Sequence, residues 1–187
     1  MLKVIEGLEE FCTPTKATKF SACIDLCAAE DVVIGAGETV LVPLGVKIDL
    51  DQFKKLDTFW DIDPEGLKNF RRKDWNKFLG LHQLNLHIRS SMSAKHGLII
   101  ANGTGIIDLD YKDEIKICLQ NPIKSITKDN ELLCHCHDEQ SSGYNWDYTI
   151  KKGQPIAQIS LVEHKSYLFG IESKEERKGG FGSTDKS

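Results

Sequence analysis

Asp108 is the carboxylate whose surroundings are most suited to chemistry. It lies in Gly97-Leu98-Ile99-Ile100-Ala101-Asn102-Gly103-Thr104-Gly105-Ile106-Ile107-Asp108-Leu109-Asp110-Tyr111, where an apolar run enters a glycine-rich turn and leaves as a second apolar run. The pattern predicts a β-hairpin whose glycines permit close backbone approach. A hairpin of this kind can read a small planar ligand with its main chain and present Asp108 to a reacting atom. That combination points to an enzyme for a nucleoside-type ligand.

Three further clusters could serve the same chemistry. Arg89-Ser90-Ser91-Met92 follows a strand-like run from Leu84 to Ile88. A guanidinium beside two hydroxyls suits a group of anionic oxygens, and a plain surface turn is the alternative. Gly179-Gly180-Phe181-Gly182-Ser183-Thr184, preceded by Arg177 and Lys178, reads as a mobile C-terminal segment over about 176–187. It suits a tail that closes over a ligand, with Phe181 on a ring and Arg177, Ser183 and Thr184 at phosphate; a disordered tail is the alternative. Asp25, between apolar neighbours in Ser21-Ala22-Cys23-Ile24-Asp25-Leu26, needs a partner if buried. An arginine, a hydrated Mg²⁺ or a structural hydrogen bond would each serve.

The elements that must hold these residues are mostly short strands. Glu38–Ile48 is β-branched and broken by Pro43 and Gly45, and both Glu114–Gln120 and Ile156–Val162 alternate with period two. The prediction is one mainly β domain over 1–187, a sandwich or jelly roll. Two segments interrupt it. In the first, about 51–84, Asp63-Pro64-Glu65 opens a helix around 63–79, with Leu67, Phe70, Asp74, Trp75 and Phe78 at helical spacing and Gly80 to close it. That helix packs on the barrel, docks a protein partner or faces a polyphosphate. The second, about 124–148, reads as a long hairpin extension. It holds Cys134-His135-Cys136-His137, whose alternation puts only two metal-type ligands on each face, short of a tetrahedral zinc site.

Bulk properties exclude several classes. With 187 residues, 40% of them hydrophobic, the chain can bury a real core. A net charge of −4 argues against an extended nucleic-acid-binding surface. There is no apolar run of membrane-spanning length, and Met1–Glu6 lacks the core of a signal peptide, so a cytoplasmic protein with its six cysteines as free thiols is expected.

In chain order these clusters resemble the five short motifs of the homotrimeric dUTPases (deoxyuridine triphosphate nucleotidohydrolases). The first is Ser21–Leu26 with the strand through Val42-Pro43-Leu44-Gly45; the second is Arg89-Ser90-Ser91; the third is Asn102–Tyr111. The fourth is Lys152-Gly153-Gln154-Pro155-Ile156-Ala157-Gln158 and the fifth is Gly179–Thr184. The third and fifth are specific. The chain departs from the family at Phe20 and Cys23, where glycines are usual, at Asp113, at Pro155, where a basic residue is common, and at Glu176, with Arg177 one residue late.

The resemblance implies a distorted jelly-roll subunit, a homotrimer with sites built from several chains, and Mg²⁺-assisted hydrolysis of dUTP to dUMP and pyrophosphate. That activity limits uracil in DNA and supplies dUMP. Asp108 would activate the water that attacks the α-phosphorus. Asn102, Gly105 and Ile107 would read uracil through the main chain, and Tyr111 would pack under the deoxyribose. Arg89, Ser90, Ser91, Gln158 and, in the tail, Arg177, Phe181, Gly182, Ser183 and Thr184 would bind the nucleotide. Mg²⁺ would be carried mainly by the triphosphate and water, with Asp25 as an indirect ligand. Two rivals are a dCTP deaminase on the same fold, disfavoured because Cys118 stands where its glutamate would be, and a regulatory scaffold that binds a protein through segment 51–84.

Overall fold

The computed structural model describes residues 1–51, 75–122, 127–128, 131–132 and 147–171. Its strands are β1 (Leu2–Val4), β2 (Ile24–Cys27), β3 (Val32–Ile34), β4 (Thr39–Pro43), β5 (Val46–Ile48), β6 (His82–Ile88), β7 (Ile99–Ile100), β8 (Gly105–Asp108), β9 (Lys116–Gln120), β10 (Thr127–Lys128), β11 (Glu131–Leu132), β12 (Tyr148–Ile150) and β13 (Pro155–Glu163). The helices are α1 (Glu9–Cys12), α2 (Trp75–Leu79) and α3 (Ser90–His96), with a 3₁₀ turn at Ser166–Phe169. No helix among the described residues is long and apolar enough to cross a membrane.

Two antiparallel sheets share one core. The larger has the order β2-β13-β6-β8 and the smaller the order β4-β9-β7; β1-β5, β3-β12 and β10-β11 form short pairs. Period-two patterning sets which side chains face inward. Along β6, Leu84 and Leu86 are buried while Gln83, Asn85 and His87 face the other way and stay partly exposed. Along β9, Ile117 and Leu119 are buried against Val42, Leu26, Ile159 and their neighbours. Each such Leu or Ile contributes roughly 1.5–3 kcal/mol relative to an exposed position. Strand β13 opens with Pro155, which has no N–H to lose from the ladder. A shift in its pairing with β2 between Pro155 and Ala157 lets both Ile156 and Ala157 turn inward.

The break expected within Glu38–Ile48 falls between β4 and β5, at Leu44-Gly45. Gly45 has φ +66°, and a Cβ there would lie 2.6 Å from Cys12 Sγ. Only glycine therefore lets α1 close over this bend. Cys12, Cys23, Cys27 and Cys118 are free thiols; Cys134 and Cys136 lie outside the described residues.

The segment 97–111 departs from the expected self-paired hairpin. Strand β7 pairs with β9 in the small sheet, whereas β8 pairs with β6 in the large one. The turn between them carries a Gly103 N–H to Ile100 carbonyl bond of 3.2 Å, and its two arms part company to satisfy different neighbours. Of the predicted helix around 63–79, α2 forms the described end. Trp75 and Phe78 stack at 5.6 Å, Phe78 is buried, and the Phe78 ring stacks on His82 at 4.3 Å. Leu67, Phe70 and Asp74 lie outside the described residues.

Candidate active site

The register of the large sheet brings together residues far apart in sequence. Asp25 on β2 pairs with Gln158 on β13, which pairs with His87 on β6. The row continues one step along, because the Arg89 N–H bonds the Ile156 carbonyl at 2.9 Å and so keeps Arg89 in extended alternation with His87. Arg89 Nη2 lies 3.2 Å from Asp25 Oδ2, with side-chain exposures of 30% and 15%. Arg89 Nη1 donates to the Pro155 carbonyl at 3.4 Å, and Gln158 Nε2 donates to the Ile88 carbonyl at 3.4 Å. Of the three partners the sequence left open for Asp25, the structure supplies the arginine.

Immediately beyond Arg89 the chain enters α3. Ser90 opens it and is exposed, Ser91 is partly exposed, and Met92 is buried. Gly97, with φ +67°, ends the helix: its N–H donates to the Ser93 carbonyl and the Leu98 N–H donates to the Met92 carbonyl. The Arg89 N–H bond to Ile156 and this C-terminal cap hold Arg89-Ser90-Ser91 at the end of β6.

Asp108 lies at the opposite end of the same sheet. It is the last residue of the edge strand β8, opposite Gln83, and is exposed. Its carbonyl accepts the Tyr111 N–H at 3.1 Å, which turns the chain inward. Tyr111 is 8% exposed, and its hydroxyl donates to the Glu114 carbonyl at 3.3 Å. Asn102 is exposed at the tip of the turn, and Ile107 is half-buried. Gly105 is buried, and a Cβ on it would lie 3.1 Å from Leu86 Cβ. Its lack of a side chain therefore serves the approach of β8 to β6.

Within one chain the two clusters do not meet. Asp108 and Asp25 are separated by four residues along the strands and three strands across, about 20 Å between backbones. The remaining predicted residues, Arg177, Phe181, Gly182, Ser183 and Thr184, lie outside the described residues.

Sequence reading missed two side chains on the strands that carry Asp25 and lead into Arg89, namely Cys27 and His87. Counting two residues on from Asp25 and two back from Arg89 along the strands would have found both. Burial pushes the Cys27 thiol up, the Asp25 carboxylate adds to that, and the Arg89 guanidinium opposes it. Among the described residues no three His, Cys, Asp or Glu side chains converge as a metal site.

No protein-family profile matches the chain. Its sequence is 30% identical to a deoxyuridine 5′-triphosphate nucleotidohydrolase of Rickettsia felis, over 96% of this chain and 94% of that protein. A relative of the same name in Rickettsia bellii is 30% identical over 91% of this chain and 85% of its own length. Among solved structures, a mutant dUTPase of Staphylococcus bacteriophage 80alpha with dUpNHpp superposes with a TM-score of 0.59 at 22% identity, covering 100% of this chain and 94% of that one. The dUTPase of Streptococcus mutans gives a TM-score of 0.55 at 21% identity, covering 87% and 94%. The fold is the jelly-roll type of these neighbours, and the chain belongs to the deoxyuridine 5′-triphosphate nucleotidohydrolase family.

Proposed function

We propose that the chain hydrolyses dUTP to dUMP and pyrophosphate in the cytoplasmic nucleotide pool. One observation carries this reading above the others. The sheet register draws Asp25, Arg89 and Gln158, from three separate motifs, to one end of the sheet, where Arg89 is ion-paired with Asp25. Such a cluster suits a phosphate chain: Arg89 offers a planar donor fork and Ser90 and Ser91 offer hydroxyls, while Asp25 holds the fork in place. Asp108 takes the proton of a water as that water attacks the α-phosphorus. The bond from the α-phosphorus to its bridging oxygen breaks, and pyrophosphate departs with the electron pair. The main chain at Asn102, Gly105 and Ile107 reads the uracil edge, and Tyr111 forms a rigid platform beneath the sugar. Arg177, Phe181, Gly182, Ser183 and Thr184 close over the nucleotide.

The donor set fits Mg²⁺ brought in on the triphosphate. Asp25 is the carboxylate of the cluster and its Oδ2 already faces Arg89, so it would meet the ion through water. Bound there, Mg²⁺ would neutralise phosphate charge.

The separation of about 20 Å between the Asp108 and Asp25 ends supports a site that joins Asp108 of one copy to Arg89 of another. A homotrimer provides this by heterologous closure. The test is pyrophosphate release from dUTP against dTTP, dCTP and UTP with Mg²⁺. The expected result is strong preference for dUTP; comparable rates on dTTP would remove the main-chain reading of uracil, and ammonia release from dCTP would favour a deaminase.

A further inference from the structure

We propose that Gln154 is a positioning residue for the phosphate end of the site, acting through the helix that carries Ser90 and Ser91; the role rests on the nucleotide reading above. Gln154 lies partly buried in the turn between β12 and β13. The Lys151 N–H donates to its Oε1 at 2.9 Å. A backbone N–H can only donate, so the amide oxygen faces the turn and the amide nitrogen faces α3. There Nε2 donates to the Tyr148 hydroxyl at 3.1 Å and approaches the Met92 sulfur at 3.7 Å. Tyr148 in turn meets the His96 ring, with 4.8 Å between centroids.

Met92 and His96 lie four residues apart and share one face of α3. That face rests on Gln154 at one turn and on Tyr148 at the next, and two contacts one turn apart fix the rotation of a short helix about its axis. A helix turns about 100° per residue, so Ser90 points roughly opposite Met92 and Ser91 points to the side. Ser90 is accordingly exposed and Ser91 partly exposed. The rotation of α3 thus decides where both hydroxyls face. The same stretch of chain also holds Arg89. The Pro155 carbonyl accepts from Arg89 Nη1 at 3.4 Å, and the Ile156 carbonyl accepts the Arg89 N–H at 2.9 Å. The turn is itself anchored on the end of β2, where the Gly153 N–H donates to the Ala28 carbonyl at 2.8 Å and the Ala28 N–H donates to the Gln154 carbonyl at 2.9 Å. Gly153 to Ile156 therefore register the guanidinium and the two hydroxyls against one another. Without the carboxamide, α3 keeps its buried Met92 but loses the polar contact that sets its rotation.

The experiment measures kcat and KM for dUTP, and the affinity for inorganic pyrophosphate, in the full-length wild type, Gln154→Met, Tyr148→Phe and the double variant. Gln154→Met keeps the length of the side chain and removes its donor; Tyr148→Phe keeps the ring beside His96 and removes the hydroxyl. Each should raise KM about three- to tenfold and weaken pyrophosphate binding by the same factor, with kcat held within about twofold. The double variant should be no worse than the poorer single one, because both remove the same contact. A purely structural role would lower the melting temperature and the fraction of active protein, hence the apparent kcat, and leave KM where it was. Unmoved KM and pyrophosphate affinity, or effects that multiply in the double variant, overturn the proposal. Should Gln154→Met fail to fold, Tyr148→Phe decides alone. If the wild type does not hydrolyse dUTP but the variants weaken pyrophosphate binding, the nucleotide reading fails and the positioning of an anion site stands. If dUTP is hydrolysed and neither quantity moves, only the role of Gln154 fails. If the wild type engages neither dUTP nor pyrophosphate, both fail.

Discussion

The two ends of the β2-β13-β6-β8 sheet differ in how their side chains are set into the fold. At the Arg89 end, a guanidinium, a carboxylate and a carboxamide are bonded to one another or to main-chain carbonyls, and a capped helix fixes the chain beyond. At the Asp108 end, the carboxylate sits exposed on an edge strand, followed by a turn into the core. In the site proposed above, the first end, organised by its own chain, would take the anion, and the second would present Asp108 to a target on another copy. On that reading one folded subunit would hold halves of two different sites.

The sharpest way to break this comparison is to remove the reagent. Asp108→Asn should lower kcat by about 10²–10⁴-fold while nucleotide binding persists, as measured by turnover and by titration of a non-hydrolysable dUTP analogue. An active Asp108→Asn protein would mean that the exposed end carries no base. Next comes a mixing experiment. Asp108→Asn and Arg89→Ala should each be inactive alone. Mixed after subunit exchange, they should recover roughly a quarter of wild-type activity, since about one site in four then draws both intact residues from different copies. No recovery would confine each site to a single chain.

Smaller effects sharpen the contrast. Gly105→Val should cost about 1–3 kcal/mol in chemical denaturation, because its Cβ would lie 3.1 Å from Leu86 Cβ. Cys27 provides a reporter for the other end. Its thiol is raised by burial and then by Asp25, with Arg89 opposing. Asp25→Asn should therefore lower it and speed alkylation of Cys27 near neutral pH by about threefold, followed by peptide mass mapping. Slower alkylation would show that Asp25 does not face that thiol.

Much of this arrangement was legible in the sequence, and the reasons are physical. Period-two alternation located β6, β9 and β13, because a half-buried strand must hide every second residue. Gly45 marked a bend where φ is positive, whereas the helix Ser90–His96 that Gly97 closes was not read from the sequence. Sequence alone could not say that Asp25 would meet Arg89, since that depends on the register of two strands against a third, all distant in the chain. The 97–111 segment looked like a hairpin because local patterning cannot reveal that each arm has a better neighbour elsewhere. Cys27 and His87 belong to no motif; only strand geometry, which selects positions two apart, singles them out.

The parting of β7 and β8 has a mechanical meaning. The turn from Ala101 to Thr104 is the short strap between two sheets that share the core, so anything that grips Asn102 pulls on both layers at once. A bound base would act as a rivet through the molecule. Its binding energy would slow amide exchange in β9 and β6 alike, far from the nucleotide, and raise the melting temperature of the whole domain as one unit.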